Sequence, residues 1–146
     1  MTYMMVATRT TRSNFDRAMR RGFWERLKQR LQHQSTHLID FADVKGEFKS
    51  YNEFYRGISP IPIQHIVGSI GHNDAFDRNF MPISEHIERK WQHILNLMVH
   101  SFDLPPIDVY QIGDVFFVID GNHRVSVSRF LGIQYIDAHV IELKRN

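Results

Sequence analysis

The clearest periodic pattern lies between residues 84 and 98, where Ile87, Trp91, Ile94, Leu95 and Met98 recur at helical spacing and give one apolar face. Ser84 stands where a hydroxyl can cap that helix. Glu85 and Glu88 occupy its first turn, where the helix dipole favours acids. His86, His93 and His100 recur every seven residues on a stripe away from that face. They are about 10 Å apart at helical rise, too far to share a metal, so solvent exposure is expected.

After Leu104, Pro105 and Pro106 the pattern turns to β-branched and aromatic runs, 107–112 and 115–119, on either side of Gly113-Asp114, which predicts a hairpin. The second run leads straight into Asp120-Gly121-Asn122. A helix from about 123 to 131 follows, ended by Gly132, and residues 135–143 alternate well enough for a last strand. Earlier, 61–67 reads as a short strand entered through Pro62, followed by a polar loop with His72, Asn73, Asp74, Asp77 and Arg78.

The amino-terminal part is harder to read. Residues 1–13 show no periodicity and suggest an arm. Asn14 can cap a helix over 15–32 whose stripe, Phe15, Met19, Trp24, Leu27 and Leu31, is expected to pack on the domain's own core. Residues 35–57 suggest irregular structure with short helices. Trp24, Trp91, Phe116 and Phe117 are expected in the core. The resulting order is helix, strand, helix, hairpin, helix, strand: an α/β (α+β) chain with a small mixed sheet, flanking helices and a leading basic amphipathic helix.

A chain of 146 residues with 42% hydrophobic and 23% charged residues fits one ordinary globular core. The absence of cysteine removes disulfides, thiolate metal sites and thiol nucleophiles, and fits the cytoplasm. No apolar run reaches bilayer length, and residues 1–7 are too short and uncharged for a signal peptide, so a soluble protein without a membrane partner is expected. The net charge is +2, yet residues 1–30 hold eight basic groups against Asp16 and Glu25, which leaves −4 for the remainder. Arg17, Arg20, Arg21 and Lys28 on the first helix could meet DNA or an acidic partner, or form a solvated face.

The candidate chemistry is at Asp120-Gly121-Asn122-His123-Arg124. A strand, a glycine turn and a helix start gather unpaired N–H groups and the positive end of a helix dipole, a suitable place for phosphate. Gly121 permits close approach, Asn122 and His123 can donate hydrogen bonds, and Arg124 can clamp an oxyanion in a bidentate manner. Asp120 could hold Mg²⁺ beside a nucleotide or simply cap the helix. Arg78 is a further candidate for contact with phosphate, and a plain structural turn is the competing account.

Leu104-Pro105-Pro106-Ile107-Asp108-Val109, then Val118-Ile119-Asp120-Gly121-Asn122-His123-Arg124-Val125-Ser126-Val127 and Leu131-Gly132, resemble the ParB/sulfiredoxin-like superfamily over residues 61–143. That sets a domain at 61–146, preceded by the arm, helix and irregular segment of 1–60. The resemblance implies binding of a nucleoside triphosphate, CTP or ATP with Mg²⁺, on Gly121 and Arg124 of a Gly-x-x-Arg motif, with slow hydrolysis as an associated activity. Arg124→Ala is then expected to abolish binding and leave the fold intact.

Several features depart from the family pattern. ParB proteins carry Gly-Glu-Arg-Arg at this position, and their helix-turn-helix and dimerisation regions have no counterpart in this sequence. Sulfiredoxins carry Gly-Cys-His-Arg, and with Asn122 in place of the cysteine, sulfinic-acid reduction is excluded chemically. A serine-phosphorylating branch would need a base, for which Asp120, Asp77 and Asp74 are available. Two other functions stay open: a nucleic-acid-binding regulatory or nuclease-like module that uses the basic helix, and a protein-interaction module with a vestigial anion site.

Overall fold

The computed structural model describes residues 11–32, 35–42, 51–71 and 74–145, and within them the side chains of 11–13, 28, 30 and 145 lie outside the description. Helix α1 spans Thr11–Leu31. Strand β1 is Ile39–Asp40, β2 is Tyr51–Pro62, and a 3-10 turn at Ile63–His65 leads into β3, Ile66–Ser69. A second 3-10 turn, Glu85–Ile87, opens α2, Glu88–Val99. The hairpin strands are β4, Ile107–Ile112, and β5, Val115–Asp120, followed by α3, Asn122–Phe130, and β6, Tyr135–Arg145.

The strands form one mixed six-stranded sheet in the order β1-β3-β5-β4-β6-β2. β1, β3 and β5 run parallel, β4 is antiparallel to β5 and parallel to β6, and β2 is antiparallel to β6. The alternation of the hairpin strands explains their place in the middle. Ile107, Val109, Phe116 and Val118 point to the side covered by α3, where Val125 joins Ile61, Ile63 and Ile66. Phe117 belongs to the other face, with Phe41 and Leu143.

A second apolar layer lies between the helices. Trp91, Leu95 and Ile87 of the α2 region meet Phe15 and Ala18 of α1, Val127 and Leu131 at the α3 end, and Phe76 and Met81 of the long loop. Trp91 is fully buried, and its indole N–H donates to Ser126 Oγ at 2.9 Å, which satisfies the one polar atom of a large apolar side chain.

The mixed architecture, the hairpin, α2, α3 and the last strand agree with the sequence pattern, and His86, His93 and His100 are exposed as expected. Several details differ. Helix α1 already includes Thr11, so Asn14 is a buried residue within it rather than its cap. Its buried side carries Asn14, Phe15, Ala18, Gly22 and Gln29, whereas Trp24 is 64% exposed and Leu27 and Leu31 also face outward. At Gly22 a Cβ would come within 2.8 Å of Met81 Cβ, so the α1 backbone lies directly on the 77–81 turn. Ser84 makes no capping bond; its hydroxyl is paired with His86 Nδ1. The segment 35–57 contains β1 and the first half of β2, and the stretch 61–67 divides into the end of β2, a turn and β3. The long pairing of β2 with β6 runs through residue 61.

Candidate functional site

β5 buries Phe116, Phe117 and Val118 and reaches the surface at Ile119 and Asp120. Gly121 follows with φ +120°, a conformation that side chains resist, and a Cβ there would stand 2.4 Å from Ile107 Cγ2. The turn therefore sits directly on the start of β4, and only glycine fits. Helix α3 then begins without any side-chain cap, and its first internal bond runs from Val125 N to Gly121 O at 3.0 Å. Asp120 is thus not a helix cap: it is 72% exposed and pairs with Arg124 at 2.9 Å.

Two polar atoms at this helix start are buried without a hydrogen-bond partner, Asn122 Oδ1 and His123 Nε2. Such orphans are rare because each costs about 1–3 kcal/mol. The His123 ring stands edge-on to Phe76, with centroids 5.2 Å apart. Burial, and then the nearby charges of Lys90 and His86, depress its pKa to about 4, so the ring is neutral at pH 7. One of its nitrogens then donates and the other accepts.

Arg124 is spent largely on the chain itself. It donates from Nη1 to the carbonyls of Pro105 and Pro106, the latter at 3.1 Å, and from Nη2 to Asp120 Oδ2 at 2.9 Å, and it is only 14% exposed. The arginine of the Gly-x-x-Arg pattern therefore ties the entry of β4 to the turn. Arg124→Ala is therefore expected to cost some stability.

The other candidates are dispersed. Arg78 donates weakly to Ser35 O at 3.4 Å and lines a small cavity with Arg129, at the opposite end of α3 from Gly121. Asp77 is 1% exposed and accepts from Asn79 N and Met81 N at 2.9 Å and from Arg26 Nη1 at 2.9 Å. Burial pushes its carboxyl above the ordinary range, against the pull of those bonds. Its lack of access removes it as a catalytic base. Asp74 is exposed, and Asn73 and His72 lie outside the described residues. Arg17, Arg20 and Arg21 are exposed on α1; the Lys28 side chain lies outside the description. Among the described residues no group of three His, Asp or Glu gathers as a metal site. No helix among them is long and apolar enough to cross a membrane.

Sequence reasoning passed over Ser69, whose buried hydroxyl has no partner. It lies at the carboxyl end of β3, paired with Val118 of the parallel neighbour β5, on the strand edge that open α/β sheets use for ligands. A serine closing the apolar run 66–69 was the available signal.

No family model matches the chain, and no curated protein matches it. Among solved structures the chain is similar to sulfiredoxin from Arabidopsis thaliana, with 17% identity and a TM-score of 0.42 over 61% of this chain and 85% of that one. A likeness at that level carries no weight for function.

Proposed function

We propose that the turn at Gly121 and the start of α3 hold the phosphate chain of a nucleoside triphosphate, CTP or ATP. The observation that carries this reading is the buried, unpartnered His123 Nε2 beside an uncapped helix start. Free helix N–H groups favour an anion there, the Asn122 amide can offer its NH₂, and a neutral His123 can donate one N–H. Arg124 supplies positive potential and fixes the turn; a direct clamp on phosphate requires it to release an acceptor it now holds. Asp120 shares only Oδ2 with Arg124, and its second oxygen suits Mg²⁺ that arrives with the nucleotide. Hydrolysis, if it follows, is slow.

Calorimetric titration with CTP and ATP, with and without Mg²⁺, tests this on the wild type and on Asn122→Ala/His123→Ala. Saturable binding that weakens by about tenfold or more in the double variant is expected, at unchanged thermal stability. Wild-type protein that binds neither nucleotide would sink the reading.

A second reading is favoured by the exposed side of α1. Arg17, Arg20, Arg21, Trp24, Leu27 and Leu31 share one helical stripe at spacings of three and four, and Phe23 stands edge-on to Trp24 at 5.4 Å. Exposed aromatics among arginines suit a nucleic acid, the bases stacking and the phosphates meeting guanidinium groups. DNA binding that falls steeply with salt and is lost in Arg17→Gln/Arg20→Gln/Trp24→Ala supports that reading; indifference to those changes removes it.

A further inference from the structure

Away from the Gly121 turn, at the opposite end of α3, a cleft of about 620 Å³ opens between α1, the 77–81 turn and the start of β6. That volume is typical of small-molecule sites, which run to about 300–1,000 Å³. Arg21 and Glu25 of α1 form one wall and Arg129 of α3 another. Gln64, Pro62 and Tyr135 also line it. We propose that this cleft is a second ligand site, for a small molecule that presents a phosphate or similar oxyanion to Arg129 and Arg21 and rests a flat apolar body against Tyr135 and Pro62.

Arg129 carries the argument. Its guanidinium makes its hydrogen bonds through Nη2, to Ile63 O at 3.0 Å and Ile66 O at 3.2 Å, while its buried Nε has no partner. Those two carbonyls are neutral, and the buried carboxylate of Asp77, whose charge reaches Arg129, already accepts three hydrogen bonds, one of them from Arg26. Phe80 lies under the guanidinium at 5.7 Å and offers only a ring face. A charge held in this way, without a carboxylate of its own, is costly to keep.

The surroundings point the same way. Burial lowers the Arg129 pKa; the negative charge of Asp77 opposes it in part, and the positive charge of Arg21, a smaller effect, lowers it further. Two guanidinium groups that repel each other across a cleft are both relieved by one oxyanion between them. Among the described residues of the lining Glu25 is the only acid, which leaves those residues with a net charge of +1 and suits a ligand with one or two negative charges. Tyr135 is largely exposed and free to cover an aromatic body. The smaller cavity that Arg129 shares with Arg78 adds a third cation on its far side.

The Nε–H signal of Arg129 in a proton–nitrogen NMR spectrum reads this site directly, and Arg129→Lys assigns it by its disappearance. Titration of the whole chain with inorganic phosphate and with phenyl phosphate is expected to move that signal saturably, with phenyl phosphate bound about threefold tighter or better. Arg21→Gln removes an exposed side chain and is expected to weaken phenyl phosphate by about tenfold without changing the melting temperature. His123→Ala, at the Gly121 turn, leaves this binding unchanged, so the two sites fail or stand separately. A signal that does not move, or that drifts without saturation in phosphate and chloride alike, overturns the proposal. So does binding that survives Arg21→Gln and vanishes in His123→Ala.

Discussion

His123 and Arg124 are neighbours with different duties, and single substitutions separate them. The neutral ring of His123 is the form the fold accepts. With a folded pKa of about 4 against an ordinary 6.5, the unfolded chain binds the proton more readily through that interval. Stability from this residue is therefore complete above pH 6.5 and is lost as the pH falls through 6.5 towards 4. At pH 4.5 the loss amounts to about 1–3 kcal/mol, solvent on the open side of the ring moderating it. Urea unfolding at pH 7 and pH 4.5 should show that difference for the wild type, and His123→Gln should lack that share of it. Arg124→Ala, by contrast, frees the carbonyls of Pro105 and Pro106 at any pH. A cost of about 1–3 kcal/mol is expected for those charge-assisted bonds, read as a lower urea midpoint at pH 7. A variant as stable as the wild type would show that the brace carries no load.

Among elements, α1 shows best how far the sequence could be read. Its existence and the inward placing of Phe15 followed from spacing, but the rest of its orientation did not, because the large apolar residues Trp24, Leu27 and Leu31 face outward and the buried side beyond Phe15 uses small and polar ones. Close backbone approach at Gly22, and the Arg26–Asp77 pair, decide the packing, and neither leaves a hydrophobic period. β2 was hidden for a related reason: most of its residues are exposed, and Gly57 and Pro60 interrupt the run, so no alternation marks an outer strand. α2 was legible because its apolar pattern is one-sided and meets the core, and the hairpin because β-branched and aromatic runs flank Gly113-Asp114. The Gly121 turn was legible as a motif, while the commitment of Arg124 to backbone carbonyls depends on contacts 18 and 19 residues away. Asp77→Ala tests the anchoring of α1. It leaves two backbone N–H groups and Arg26 without their acceptor, for an expected loss of about 3 kcal/mol. Arg56→Ala, which opens the exposed pair with Glu142, is expected to change stability by less than about 1 kcal/mol.

On the scale of the whole molecule, the two ends of the described chain are bound into one core. β2 pairs with β6 from Tyr51↔Arg145 to Pro62↔Tyr135, and α1 covers Trp91 and Leu95 with Phe15 and Ala18. The family resemblance set a division at residue 61, which lies within β2. A fragment of residues 61–146 would expose the free edge of β6 over most of its length and uncover an aromatic-lined face of α2, with its central helix no longer shielded by α1. Both losses are large against the roughly 5–15 kcal/mol of net stability a domain of this size holds. The fragment is expected to lack a cooperative thermal transition, whereas the whole chain melts in one step, followed in Trp24→Phe protein by the emission of buried Trp91 together with far-ultraviolet circular dichroism. Coincident curves for the whole chain and none for the fragment mean that the basic helix is part of the same folding unit as the Gly121 turn. A fragment that melts cooperatively near the temperature of the intact chain would instead make α1 and β2 an attachment, and the cleft between α1 and α3 would then be a boundary between two units.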